Sequence, residues 1–172
     1  MVDDYRAMFS RFWERFRPGH PDHPVYQKSV EQRSSTIPIA IHGDEGRGLA
    51  KVPVLVLAYQ VMIPYSGENK LNSSKHSYTT RLLTTLLPSN WYAKKDASIN
   101  AILQALAHDL TQLLDVGITV CGKQQRFYAA YVACKGDWPW LRKAYALYSG
   151  FTSKRICHLC DVSDPLIYSD KF

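Results

Sequence analysis

No apolar run in this sequence approaches the roughly 20 residues that a bilayer-spanning helix needs, so no membrane partner is expected. The opening segment "MVDDYRAMFSRFWERFRPG" lacks the basic start and cleavable apolar core of a signal peptide, and an intracellular protein is expected. Cysteine is scarce, with four in 172 residues and one close pair, Cys157 and Cys160. Inside a cell that spacing indicates metal or redox chemistry rather than a structural disulfide. There is no internal repeat. What the chain does have is 46% hydrophobic and 12% aromatic residues, the composition of a globular domain rather than a disordered one. The length suits one domain with a real core. Net charge is +6, from 21 basic and 15 acidic residues, which permits a polyanionic partner without requiring one.

Hydrophobic periodicity divides the chain into a mixed α/β order. Met8, Phe9, Phe12, Trp13 and Phe16 recur at helical spacing and predict a short amphipathic helix stopped by Pro18-Gly19. The following "RPGHPDHPVYQKSVEQRSS" reads as a linker, so residues 1–35 form an N-terminal helix and linker and 36–172 the core. Ile37, Ile39 and Ile41 alternate along a strand that ends at His42-Gly43-Asp44. Val52 to Ile63 is a β-branched run of the kind buried on both faces of a sheet. "YTTRLLTTLLP" fits a short helix or a strand equally well. A long helix starts at Asp96 or Ser98, presents Ile99, Ile102, Leu103, Leu106, Leu110, Leu113 and Leu114 on one face, and is capped by Gly117. "GITVCG" then suggests a short strand, "RFYAAYVACKGDW" a strand ending at Gly136-Asp137, and "PWLRKAYALYSG" a helix opened by Pro139.

The turn predicted at His42–Gly48, "HGDEGRG", admits two chemistries. "GDEGRG" resembles the nucleotide-binding "GDEGKG" turn of adenylosuccinate synthetases. A phosphate loop of that kind leads into a helix whose free N–H groups face the anion, whereas Pro53 and the β-branched residues after Gly48 oppose a helix. The second chemistry starts from Asp44 and Asp137, each just after an apolar strand and beside a glycine, Gly43 or Gly136. In neighbouring strands their carboxylates would emerge at one edge and repel unless a cation lay between them. Oxygen ligands of this type select Mg²⁺ or Mn²⁺ and support metal-assisted phosphoryl transfer. Asp-Gly and Gly-Asp are also ordinary turn pairs, and spacing alone does not choose.

Around Asp137 lie Lys135, Arg142, Lys143, Lys154 and Arg155, interleaved with Trp138, Trp140 and Tyr145. Cations beside aromatics suit a phosphate backbone and unpaired bases, although a solvated basic face has the same composition. Cys157-His158-Leu159-Cys160 is half of a Zn²⁺ site, which wants four N or S ligands.

With these residues in order, the chain resembles the catalytic domain of CACTA-type (En/Spm-like) and related DDE transposases over roughly residues 37 to 160. The matching pieces are the strand ending at Asp44, the segment "NSSKHSYTTRLLTTLLPSNWY" with His76, the helix "LAHDLTQLLDVGITV", and "DWPWLRKAYALYSGFTSKRICHLC" after the second strand. The resemblance implies an α/β, ribonuclease-H-like mixed sheet with flanking helices, incomplete at the C-terminus. It makes Asp44 and Asp137 the first two catalytic, metal-binding acids, holding Mg²⁺ or Mn²⁺. Cys157 and Cys160 become part of a structural zinc insertion. DNA would be the partner, bound in the nucleus, and self-association is compatible with the pattern.

The chain departs from the family in two places. It carries Asp44-Glu45-Gly46-Arg47 where the family has Asp-Gly-x-Asn. The third acid normally lies well beyond the CxxC pair, and Asp161, Asp164 and Asp170 come too early to serve. The expectation is therefore a truncated or domesticated transposase remnant that keeps nucleic-acid binding better than strand transfer. The alternative is a non-enzymatic, zinc-stabilised module binding nucleic acid or protein.

Overall fold

The computed structural model describes residues 5–47, 52–63, 81–93, 97–120 and 125–147. It is a mixed α/β arrangement built on one five-stranded sheet.

Helix α1, Tyr5–Phe16, buries Phe9 and Trp13 and gives way at Pro18-Gly19 to a 3₁₀ turn. The segment that reads as a linker is folded. His23 opens a second 3₁₀ turn, Pro24–Gln27, and Ser29 and Gln32 form a reciprocal capping box at the short helix α2, Val30–Arg33. The Val25 N–H donates to His23 Nδ1, which leaves the proton on Nε2 to donate to the Tyr131 carbonyl at 2.9 Å. One imidazole thus joins this segment to a distant strand. Val25 is fully buried beside Phe9, Trp13 and Ala130. Trp13 Nε1 also donates to the Thr36 carbonyl at 2.9 Å in a buried bond. Trp13→Phe, which deletes that donor, is expected to cost about 1–3 kcal/mol; an unchanged urea midpoint would show that the bond contributes nothing.

The sheet has the order β3-β2-β1-β5-β4, from β1 (Thr36–Arg47), β2 (Pro53–Val61), β3 (Arg81–Pro88), β4 (Ile118–Thr119) and β5 (Arg126–Gly136). β1, β2 and β3 form an antiparallel meander. β1 does not stop at Asp44. It runs on through Gly46 opposite Val54 and Arg47 opposite Pro53, because the β-branched residues of β2 offer a continuous ladder that outweighs the weak strand preference of the glycines. The predicted turn His42–Gly48 is therefore mostly strand, and the connection to Pro53 starts a strand rather than a helix. That removes the phosphate-loop reading. In β2 only Leu55, Leu57 and Ala58 are buried while Val54 and Val56 remain partly open, so the strand is not closed on both faces as its composition suggests.

β3 resolves the ambiguous "RLLTTLLP" as a strand, with Thr84 bulged between Leu83, opposite Ala58, and Thr85, opposite Leu57. From β3 the chain passes through α3, Ala97–Asp115, to β5, which runs parallel to β1. α3 buries Ile99 and Leu106 against the sheet. Gly117 ends it at φ +71°, where a Cβ would lie 2.5 Å from the Phe127 carbonyl oxygen. Only glycine fits there.

β5 carries one residue more than β1 in their shared ladder. Ile39 pairs with Tyr131 and Ala40 with Ala133, leaving Val132 as a bulge. Beyond it His42 pairs with Lys135 and Gly43 with Gly136. The chain then enters α4, Trp138–Ala144, capped by Asp137, whose Oδ1 accepts the Trp140 N–H at 2.9 Å. No helix among the described residues is long and apolar enough to cross a membrane.

Candidate functional site

β1 and β5 are parallel neighbours, and paired residues in adjacent strands lie about 4.8 Å apart. Because Gly43 is opposite Gly136, the next residues, Asp44 and Asp137, follow at neighbouring positions, Asp44 still within β1 and Asp137 just past the end of β5. The two glycines have a structural reason. A Cβ on Gly43 would come within 2.1 Å of the Trp140 ring. A Cβ on Gly136, at φ +152°, would meet the Gly43 carbonyl oxygen at 2.2 Å and the same ring at 2.3 Å. Trp140, only 2% exposed, lies flat on this pair and packs with Leu55, Leu57 and Ile99. Its Nε1–H points at Cys134 Sγ, 3.3 Å away. Glycine beside each aspartate is therefore the floor for an indole. It also excludes Trp140 as a stacking surface for bases, which its place in the sequence suggested.

Alternation along β1 separates the two adjacent acids. Glu45 faces the helices, where Lys143 Nζ donates to Oε2 at 2.9 Å and the Tyr92 hydroxyl to Oε1 at 3.4 Å. Asp44 is exposed on the opposite face, in line with His42. Two carboxylates at neighbouring positions of adjacent strands are oxygen donors of the kind that Mg²⁺ or Mn²⁺ takes. The N-cap bond uses one oxygen of Asp137. Among the described residues no group of three His, Cys, Asp or Glu side chains comes together in a metal-binding cluster.

The predicted cations are dispersed. Lys135 shares the face of His42 and donates to Gln60 Oε1 at 3.1 Å. Arg142 is exposed on α4, and Lys143 is held by Glu45 on the helix side of the sheet. Lys154, Arg155, Cys157, Cys160 and His76 lie outside the described residues. Since the Lys143–Glu45 pair is about one-third exposed, Glu45→Gln is expected to lower stability by no more than about 1 kcal/mol. A thermal melt shifted well beyond that would mark the pair as a fold determinant.

Sequence reasoning passed over three residues that share the face of Asp44. They are His42, two positions before it on β1, Gln60 on β2, and Arg81, which pairs with Gln60 from β3. The available signal was the two-residue strand period, which puts His42 and Asp44 on one side. Burial holds the His42 imidazole below its ordinary value; Arg81 and, to a smaller extent, Lys135 add to this, while Asp44 opposes it.

A cavity of about 560 Å³ on the helix side of the sheet is lined by Ile41, Leu103, Leu106 and Leu110, with His23 and Tyr131 at its wall. His23 is bonded at both nitrogens, and the Tyr131 hydroxyl is bonded to that of Tyr145 at 2.8 Å. The cavity offers apolar volume rather than acid–base chemistry. Neither a protein-family model, nor a curated protein, nor a solved structure matches this chain.

Proposed function

We propose that this chain is a DDE-transposase-derived, ribonuclease-H-like domain that binds DNA and uses Asp44 and Asp137 to hold Mg²⁺ or Mn²⁺ at a phosphodiester. The observation that carries the reading is the parallel pairing of Gly43 with Gly136, after which the two acids come next on adjacent strands. The antiparallel meander, the crossover through α3 and the parallel return of β5 beside β1 agree with the sheet that the transposase resemblance implies. A bound divalent ion would activate the attacking oxygen and stabilise the leaving one. Asp44 supplies an exposed carboxylate, and Asp137 supplies one whose rotamer is fixed by its cap bond. DNA binding, in the nucleus, is the part of this reading that does not depend on the metal site. Titrating the protein with Mn²⁺ while following the signal of free Mn²⁺ tests the reading. Asp44→Asn is expected to weaken binding by about tenfold or more, and equal affinity in the variant removes Asp44 from the site.

Zinc belongs to the same reading, with Cys157 and Cys160 as two of its ligands. Purified protein is expected to carry zinc in near-stoichiometric amount and Cys157→Ser/Cys160→Ser to lose it; equal metal content in both would exclude these thiols.

A second reading, an interaction module without catalysis, is favoured by the outer strand. Leu82, Leu83 and Leu86 on β3 are 71%, 60% and 53% exposed, beside Trp91 at 70%. An apolar edge of this kind is a surface for pairing. Under that reading Asp44→Asn leaves every function unchanged, while Leu83→Lys/Leu86→Lys abolishes partner or self-association in sedimentation.

A further inference from the structure

The sheet face turned away from α3 and α4 carries charge that the metal rim does not use. Lys135 starts on β5, crosses β1 over the fully buried Ala40, and ends at Gln60 on β2. Gln60 is paired with Arg81 on β3, on the same sheet face, and the charges of both Arg81 and Lys135 are felt at His42. His42 lies on the same face one alternation from Ala40, directly beside Lys135 in the ladder. Among the described residues neither Arg81 nor Lys135 forms an ion pair, since the two such pairs found are His108–Asp109 and Lys143–Glu45. Two partly buried cations gathered on one sheet face beside His42 repel one another unless an anion joins them. An amide and an imidazole beside them add hydrogen-bonding groups suited to a tetrahedral oxyanion.

We propose that His42, Gln60, Arg81 and Lys135 form a phosphate subsite for a nucleic-acid strand lying across this face toward Asp44. The inference rests on the DNA-binding reading above and names where the strand runs. His42 and Asp44 are about 7 Å apart along β1, so a strand held here has a neighbouring phosphodiester at the metal rim. The path runs over the sheet face and not along α4, where Lys143 is already neutralised by Glu45.

The test is made without metal, so that it stands or falls apart from the Asp44 and Asp137 site. Binding of a fluorescent 12-nucleotide single strand is followed by anisotropy in EDTA at several salt concentrations, with inorganic phosphate as a competitor. Arg81→Gln/Lys135→Gln is expected to bind about tenfold more weakly, and its salt slope to fall by roughly 1.4, about 0.7 for each lost contact. Arg11→Gln/Arg126→Gln removes the same charge from exposed positions elsewhere and is expected to behave as the parent. The His42 ring signals in a nitrogen–proton spectrum of the parent protein are expected to move when the oligonucleotide is added. Equal affinity and slope in the two double variants, or an unmoved His42, would overturn the subsite. Should inorganic phosphate saturate the site at low concentration while the oligonucleotide gains nothing over it, a free-phosphate site replaces the strand path and the proposal fails. If the oligonucleotide binds as described yet Mn²⁺ ignores Asp44, the metal reading fails and the subsite survives.

Discussion

Alanine at position 43 is expected to destabilise the protein by about 2–4 kcal/mol, an unusually large effect for the addition of one methyl group. The new Cβ would fall 2.1 Å from the Trp140 ring, and neither party can yield. Gly43 is fixed in the centre of the sheet between β2 and β5, and the indole is enclosed by Leu55, Leu57 and Ile99. Overpacking of a closed core ordinarily costs about 1–3 kcal/mol and sometimes more. Trp140→Ala, which empties the same space, is expected to cost about 3–5 kcal/mol. The two changes should not add. With the indole gone the extra methyl meets open space, so Gly43→Ala in the Trp140→Ala background should cost under about 1 kcal/mol, a coupling of at least 1–2 kcal/mol. Urea unfolding of the four proteins measures it, and strict additivity would show that the ring does not rest on Gly43.

Asp137 has two duties that a single substitution can separate. As N-cap of α4 it accepts the Trp140 N–H, and under the proposed function it also binds a divalent ion. Asparagine caps helices about as well as aspartate, whereas alanine loses about 1 kcal/mol. Asp137→Asn is therefore expected to unfold at the parent's urea concentration, and Asp137→Ala measurably below it. Mn²⁺-dependent nicking of supercoiled DNA, where present, should fall in both variants by at least about a thousandfold. Loss of a metal ligand forfeits several kcal/mol of transition-state stabilisation, and each 1.36 kcal/mol is tenfold in rate. Nicking that survives in Asp137→Asn would leave the residue as a cap and nothing else.

How much of this the sequence discloses depends on which interaction decides each element. The α3 helix is legible because a leucine-rich face and a terminal glycine both report local physics, and Gly117 adopts the left-handed backbone that its position suggests. The mixed α/β class follows from such local signals. β3 is not legible, since "RLLTTLLP" becomes a strand only by pairing with β2 across a bulge. The length of β1 is misjudged for the same reason: its glycines look like a turn until β2 lies beside them. The segment 17–35 reads as a linker because polar and proline residues dominate it, whereas buried Val25, the His23 bond to the Tyr131 carbonyl and the Tyr26 hydroxyl on the Trp13 carbonyl bind it to the fold. At the candidate site, Asp44 and Asp137 stand out because each follows an apolar run and a glycine, although β1 continues past Asp44 to Arg47. His42, Gln60 and Arg81 do not, because three consecutive strands must come into register before these residues become neighbours. Glu45 and Lys143, 98 positions apart, meet by the same long-range route.

Val132 acts as a one-residue phase shift written into β5. Were it instead taken into the ladder opposite Ala40, Lys135 would slide opposite Gly43 and swing its ammonium into the layer occupied by Trp140. Gly136 would then stand level with Asp44, the indole would lose half its floor, and the second aspartate would overshoot the first. A protein that ironed out this irregularity would keep every side chain named above and scatter the constellation they form.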